Sequence, residues 1–121
     1  MLKPTGPTDP NVWNLIVALE KKAKAEGVHI WRSISEKLRK PRRHRVVVNI
    51  SRINRFTEDG ETVVVPGKVL GSGSLNHKVC IAALAFSEKA IQKTKEAGGE
   101  CISILELMKR NPKGSNVKII G

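Results

Sequence analysis

Val79-Cys80-Ile81-Ala82-Ala83-Leu84-Ala85-Phe86 is a run without a single charge. It is far too short to cross a membrane and too apolar to lie on a surface. It fits a strand covered on both faces, as in a parallel sheet. The residues around it read as one unit. Ser87 can cap a helix that reaches Ala97, and Gly98 or Gly99 can close that helix in a left-handed turn. Upstream, Thr62-Val63-Val64-Val65 is a second apolar run. A loop through Gly67, Lys68, Gly71, Gly73, Asn76, His77 and Lys78 joins the two runs. This unit is the expected core. Its glycine-bearing loop is the expected point of close contact with a ligand backbone.

The remaining chain reads as helices first, then alternating strands and helices. Asp9-Pro10 suits an N-cap and a first helical position. Val12, Trp13, Ile16, Val17, Leu19 and Ala23 follow at helical spacing, and Gly27 stops them. Ile30, Ile34 and Leu38, with Trp31 beside them, predict a second helix to Arg39, ended by Pro41. Both tryptophans fall on or beside these stripes, so they are expected to anchor the core. Val46–Ile50 is β-branched and predicts a strand. Ser51–Phe56 follows with more basic and amide groups, and Thr57–Gly60 forms a turn. Glu100–Ile102 predicts a short strand. Ser103 and Glu106 predict a capping box for a helix to Arg110. Val117–Ile120 predicts a last strand. At 121 residues this makes one domain. Residues 1–8 form an extended arm, 9–45 a basic helical extension and 46–121 an α/β core.

Charge narrows the function. Lys and Arg number 22 against 11 acids, a net of +11. Such a surplus repels itself unless a polyanion offsets it. Its densest block is Lys37-Leu38-Arg39-Lys40-Pro41-Arg42-Arg43-His44-Arg45, in which six of nine residues are Lys or Arg and none is acidic. Arg52, Asn54 and Arg55 extend it, and Lys68, His77 and Lys78 add to it in the loop. Arginine forks hold phosphates bidentately and lysines act as point charges, so nucleic acid is the expected partner. The block from Lys37 to Arg45 is expected to supply the largest share of the affinity. Aromatic residues make only 3% of the chain and Tyr is absent, too few rings for a surface of stacked bases.

Other chemistries find little support. Gly71-Ser72-Gly73 lacks the third glycine of a dinucleotide fingerprint, because Asn76 stands there, and a strand rather than a helix follows. No paired acids or oriented base accompany His77, so catalysis is not expected. His29, His44 and His77 are scattered, which argues against a zinc site. Cys80 and Cys101 sit in apolar contexts and are expected to be buried, reduced thiols of a reducing compartment. The Gly27-Val28-His29 break between the first two helices is compatible with a helix-turn-helix. A basic DNA-binding or chromatin-type protein is therefore the alternative reading. Against it, the second helix carries its charge at the C-terminal end, where a recognition helix rarely reads bases.

Several blocks, in order, resemble one family. These are Arg39-Lys40-Pro41-Arg42-Arg43, Val48-Asn49-Ile50-Ser51-Arg52-Ile53-Asn54-Arg55, the stretch Val64–Leu75, Ala85-Phe86-Ser87 and Ala97-Gly98-Gly99. They resemble the archaeal and eukaryotic "L eighteen e" family of large-subunit ribosomal proteins, which shares its fold with bacterial "L fifteen". The opening Thr5–Pro10 and the closing Arg110-Asn111-Pro112 are similar to archaeal members, whose length this chain matches. Where the family often has Tyr, this chain has Phe56. The resemblance implies a small α/β domain of irregular ββα turns with a basic helical N-terminal extension. It implies a cytoplasmic, ribosomal location and a structural role: binding large-subunit ribosomal RNA beside neighbouring ribosomal proteins. It implies no catalysis, cofactor, membrane or homo-oligomer. The resemblance carries over a basic block, Arg39, Lys40, Arg42, Arg43, Arg45, Arg52 and Arg55, and a loop, Gly67, Lys68, Gly71, Gly73, His77 and Lys78; together with Lys37, His44 and Asn54 from the basic stretches, all of these except Gly67 are the expected RNA contacts.

Overall fold

Strands that alternate faces at every residue can bury two layers at once when all of them run parallel. The computed structural model, which describes residues 10–40 and 46–121, shows this arrangement. Its strands are β1 (Val46–Asn49), β2 (Glu61–Leu70), β3 (Val79–Phe86), β4 (Glu100–Ser103) and β5 (Val117–Ile119). The order is β1-β2-β3-β4, with β5 also on β2, and all pairs are parallel. β1 pairs with Gly67–Leu70 and β5 with Thr62–Val64, so the two lie end to end along one edge of β2. Pro66 and Gly67 fall where the β2–β3 register shifts, the bulge at which a strand tolerates proline.

The helices are α1 (Pro10–Glu26), α2 (Ile30–Leu38), α3 (Ile50–Phe56), α4 (Glu88–Glu96) and α5 (Ile104–Arg110). Val64 and Ala82 face a core built with Ile16 and Leu19 of α1, Trp31 and Ile34 of α2, and Ile104 and Leu107 of α5. Val63, Val65, Ile81 and Ala83 face the other core, with Ile50 and Ile53 of α3 and Ala90 of α4. Thus α3 and α4, which join strands stepping one way across the sheet, share one face. α5, which must return from β4 to β5 on the far edge, lies on the other. A single hand of crossover produces that division. The N-terminal helices complete the second face as a full layer of the sandwich. Trp31 is wholly buried and its indole N–H donates to the Pro112 carbonyl at 2.7 Å.

The βα unit expected from the apolar run is present. Ser87 Oγ accepts from the Ala90 N–H at 3.1 Å, and Gly98 has φ +86°. Ser103 Oγ caps α5 through the Glu106 N–H at 3.0 Å, but the Glu106 carboxylate turns to Arg110 instead of closing the box. The strand expected over Val46–Ile50 ends at Asn49. Ile50 and Ile53 are spaced for a helix, and both are buried in α3. The expected arm, the N-cap Asp9, and Pro41 to Arg45 lie outside the described residues.

The cysteines correct one expectation. Cys80 pairs with Glu100 and Ile81 with Cys101, so the two thiols point to opposite faces of the sheet and cannot bridge. Both are free and half-buried rather than buried. Burial, reinforced by the Glu100 carboxylate, pushes the Cys80 thiol up to about 11. Burial also pushes the Cys101 thiol up.

One connection is unusual. β2 and β3 are parallel neighbours, yet only residues 71–78 join them. The chain must return from the end of β2 to Val79, opposite Glu61. That path is on the order of 30 Å, which eight residues cover only when nearly extended. A helix of that length would span about 12 Å. The connection is therefore a strap laid between α3 and α4.

The strap explains its glycines. Gly73 has φ +88°, and a Cβ there would stand 2.3 Å from Ser51 Cβ. Gly73→Ala is expected to destabilise the free protein by more than the ~1–2 kcal/mol of left-handed backbone alone. Gly98→Ala has positive φ but open space, and should show only the backbone cost. Thermal unfolding of the two variants without RNA should give the larger drop for Gly73→Ala. Equal drops would mean that the packing against Ser51 is irrelevant. For the cysteines, a thiol assay should find both free after denaturation. Native Cys80 should alkylate slowly at pH 8, where roughly a thousandth of a thiol at pKa 11 is thiolate, and faster as pH rises towards 11.

Candidate nucleic-acid interface

The turn from β1 into α3 sets up the basic face. Asn49 has extended φ and ψ at the N-cap but spends its carboxamide oxygen on the Ser72 N–H of the strap, at 3.3 Å. With Ile50 and Ile53 turned to the sheet, helical spacing sends Arg52, Arg55 and Phe56 outward, where all three are exposed. Both guanidinium carbons lie 5.9 Å from the Phe56 ring centroid, within cation–π range.

The strap is fastened to this helix along its length. Ser51 N–H donates to the Ser72 carbonyl at 3.3 Å, and Asn54 Oδ1 accepts from the Asn76 N–H at 2.9 Å. His77 Nε2 lies 2.8 Å from Thr57 Oγ1. The single Thr57 hydroxyl proton goes to the Ile53 carbonyl at 2.7 Å, so His77 must be the donor. Its Nε2 therefore carries hydrogen. The Lys78 N–H is held by Asp59 at 3.0 Å and its carbonyl by the Gly60 N–H at 2.7 Å, which leaves an exposed ammonium. On the α4 side, Lys93 Nζ donates to the carbonyls of Gly71 and Gly73, at 2.8 and 2.6 Å.

Arg52, Asn54, Arg55, Gly73, His77 and Lys78 are therefore brought together. Gly71 is not part of this surface. It is buried under α4, where a Cβ would meet Lys89 Cβ at 2.6 Å and the Ala90 nitrogen at 2.8 Å. Its close approach is to the protein's own helix. Lys68 is exposed on β2 between the exposed Val47 and Ala85, on the face away from α3. At the end of α2, Lys37 and Lys40 have no acidic partner among the described residues. Arg39 does: its Nε and Nη2 donate to Glu20 Oε2 at 3.0 and 2.7 Å, and it stacks over Trp13 at 5.4 Å. Trp13 is only half-buried beneath it. Arg42, Arg43, His44 and Arg45 lie outside the described residues.

Acids on this face are confined to the turn after α3, where Asp59 holds the Lys78 N–H. None occurs between Lys37 and Thr57, or between Thr62 and Ser87. Glu61, at the rim, accepts from the Glu58 N–H at 2.6 Å and from Lys118 Nζ at 3.1 Å. The Glu58 N–H first, then Lys118, holds its carboxyl below the usual range. No cluster of three metal-ligating side chains exists among the described residues. α2 is no recognition helix, because its first turn carries the buried Trp31. No helix among the described residues is long and apolar enough to cross a membrane.

The model of the family described as "Ribosomal protein 60S L18 and 50S L18e" matches residues 12–121. The chain belongs to that family. It is 47% identical over 120 residues to the large ribosomal subunit protein eL18 of Methanothermobacter thermautotrophicus, covering 99% of each. It is 47% identical over 117 residues to that of Pyrobaculum aerophilum, covering 97% of this chain and 96% of the relative. It is 51% identical over 114 residues to that of Archaeoglobus fulgidus, covering 93% and 97%. Membership of L18e makes this a structural ribosomal protein and not an enzyme.

Lys93 and Lys118 of this L18e chain went unread in the sequence, and Phe56 was read only as a departure from the family's Tyr. Phe56 is the exposed ring between two arginines, legible as Arg52 and Phe56 at i and i+4 once the segment is taken as a helix. Lys93 clamps the strap, and Lys118 donates to the Phe56 carbonyl at 3.1 Å. The reach of those two lysines comes from tertiary packing, and no local pattern signals it. Lys93→Met keeps the stem but removes both bonds to the strap. It should destabilise the protein by about 1–2 kcal/mol, at the low end for charge-assisted bonds because the site is partly exposed. Amide hydrogen exchange at Ser72–Lys78 should rise more than elsewhere. Unchanged exchange there would show that α3 alone holds the strap.

Proposed function

We propose that this chain is a structural component of the large ribosomal subunit, holding its ribosomal RNA with the α3–strap face and the basic segment that leaves α2. The single observation that carries this reading is the α3–strap face itself. Arg52, Arg55 and Lys78 stand exposed on it with no acid paired to them, over backbone fixed by the hydrogen bonds from Ser51, Asn54 and Asp59. A rigid, unpaired array of guanidinium and ammonium groups suits a sugar–phosphate chain. The relatives' own name, large ribosomal subunit protein, supports the assembly. Other ribosomal proteins are the further neighbours of such a component. Within the set of candidate contacts, Arg39 acts first on the protein, through Glu20 and Trp13, and Lys68 belongs to a second surface.

The salt dependence of binding to a large-subunit RNA fragment tests this. Each phosphate contact contributes roughly 0.7–0.9 to the log–log slope. Changing Arg52, Arg55 and Lys78 together to Ala should lower the slope by about 2–3, and changing Arg42, Arg43 and Arg45 together should lower it at least as much. Arg39→Ala should lower it less and reduce the melting temperature. Slopes equal to wild type in both triple variants would overturn the reading. So would protein that leaves the large subunit during a high-salt wash and stays in the supernatant.

A further inference from the structure

We infer that the cleft beside Phe56 receives one unpaired nucleobase of the RNA, stacked on the Phe56 ring. This rests on the RNA-binding reading above and adds what part of the RNA is recognised and how. The ring is 55% exposed on a helix whose other apolar side chains, Ile50 and Ile53, are buried. It opens onto a cleft of about 550 Å³ lined by Arg52, Phe56, Lys118, Ile119, Ile120 and Gly121. That volume falls in the range of sites that take a small flat molecule. The lining is apolar at the floor, through Ile119 and Ile120, and cationic at the rim, through Arg52 and Lys118.

Each rim group has capacity left for a nucleotide. Lys118 Nζ gives two of its three donors to the Phe56 carbonyl and Glu61. Arg52 and Arg55 have no acidic partner among the described residues, and each holds its guanidinium near the ring. A base laid on the ring would keep its phosphate within the field of those groups. In a duplex, the faces of the bases are already covered by their neighbours. Only a base freed from the stack, in a bulge, loop or end, offers a face to Phe56. A single ring makes this one seat, consistent with a chain too poor in aromatics for a stacking surface.

Two RNA hairpins with the same stem, one carrying a single unpaired adenosine, test the inference with the full-length protein. Wild type should prefer the bulged hairpin. Phe56→Leu should reduce that preference by roughly 5- to 150-fold, the range that 1–3 kcal/mol per stacked base allows. Its salt slope should stay unchanged, since no charge is lost, and so should its melting temperature, since the ring is exposed. Phe56→Trp should keep the preference. 2-Aminopurine in place of the unpaired adenosine should be quenched by wild type and not by Phe56→Leu. If wild type binds both hairpins equally with a steep salt slope, or if Phe56→Leu keeps the preference, the base seat is wrong and the RNA-binding reading stands. Loss of the preference together with the slope and the melting temperature would mark Phe56 as merely structural and also overturn the seat. If neither hairpin binds in a salt-dependent way, both readings fall.

Discussion

Eight residues must carry the chain back along a ten-residue strand, and this shortage of length shapes the structure around it. A parallel neighbour is normally reached through a dozen or more residues that include a helix. Here no helix fits, so residues 71–78 run as an extended strap with no ladder partner of their own. Their backbone groups still need partners. α3 supplies them through Ser51 and Asn54, the β1 end supplies one through Asn49, and α4 supplies Lys93. Gly71 admits the strap beneath α4, and Gly73 turns it with positive φ. The strap thereby joins α3 and α4 across a face that crossover geometry had left open.

The same device builds the basic surface. The strap, held by its backbone at Gly71, Ser72, Gly73, Asn76 and Lys78, leaves the Lys78 side chain exposed. α3, buried through only Ile50 and Ile53, likewise leaves Arg52 and Arg55 exposed. Arg52, Arg55 and Lys78 are thus presented from two elements locked to one another. Several acids of the chain are paired with other cations. Glu100 and Glu106 hold Arg110, Glu20 holds Arg39, and Glu26 faces Lys113. These exposed pairs contribute little stability individually. They engage Arg39, Arg110 and Lys113, while Arg52, Arg55 and Lys78 have no ion pair among the described residues.

Much of this was legible from residue patterns. The uncharged run at Val79 marked a strand buried on both sides, because only a sandwiched parallel strand tolerates such a run. Ser87, Ser103, Gly27 and Gly98 marked helix ends, because capping is a local hydrogen-bond and φ requirement. Several blocks in order, the basic ones among them, pointed to the L18e family. Ile50 was misread as the end of a strand and Ser51–Phe56 was given no helix, because β-branched residues on either side of Asn49 outweighed the i, i+3 spacing of Ile50 and Ile53. The cysteines were misread as buried, because an apolar neighbourhood in sequence does not reveal that β4 is short and lies at the sheet edge.

What the sequence determined alone was therefore most of what is set within a few residues: the element types apart from α3, the Ser87 and Ser103 caps, the turns, the surplus of positive charge and the family. Tertiary structure decided which cations are free, since Arg39 meets Glu20 across 19 positions and Lys118 meets Phe56 across 62. It also decided that Gly71 serves the protein's own packing while Gly73 stays at the surface. Both outcomes depend on where the strap crosses the sheet. That path follows from strand order and register, long-range pairings to which no local pattern of side chains is sensitive.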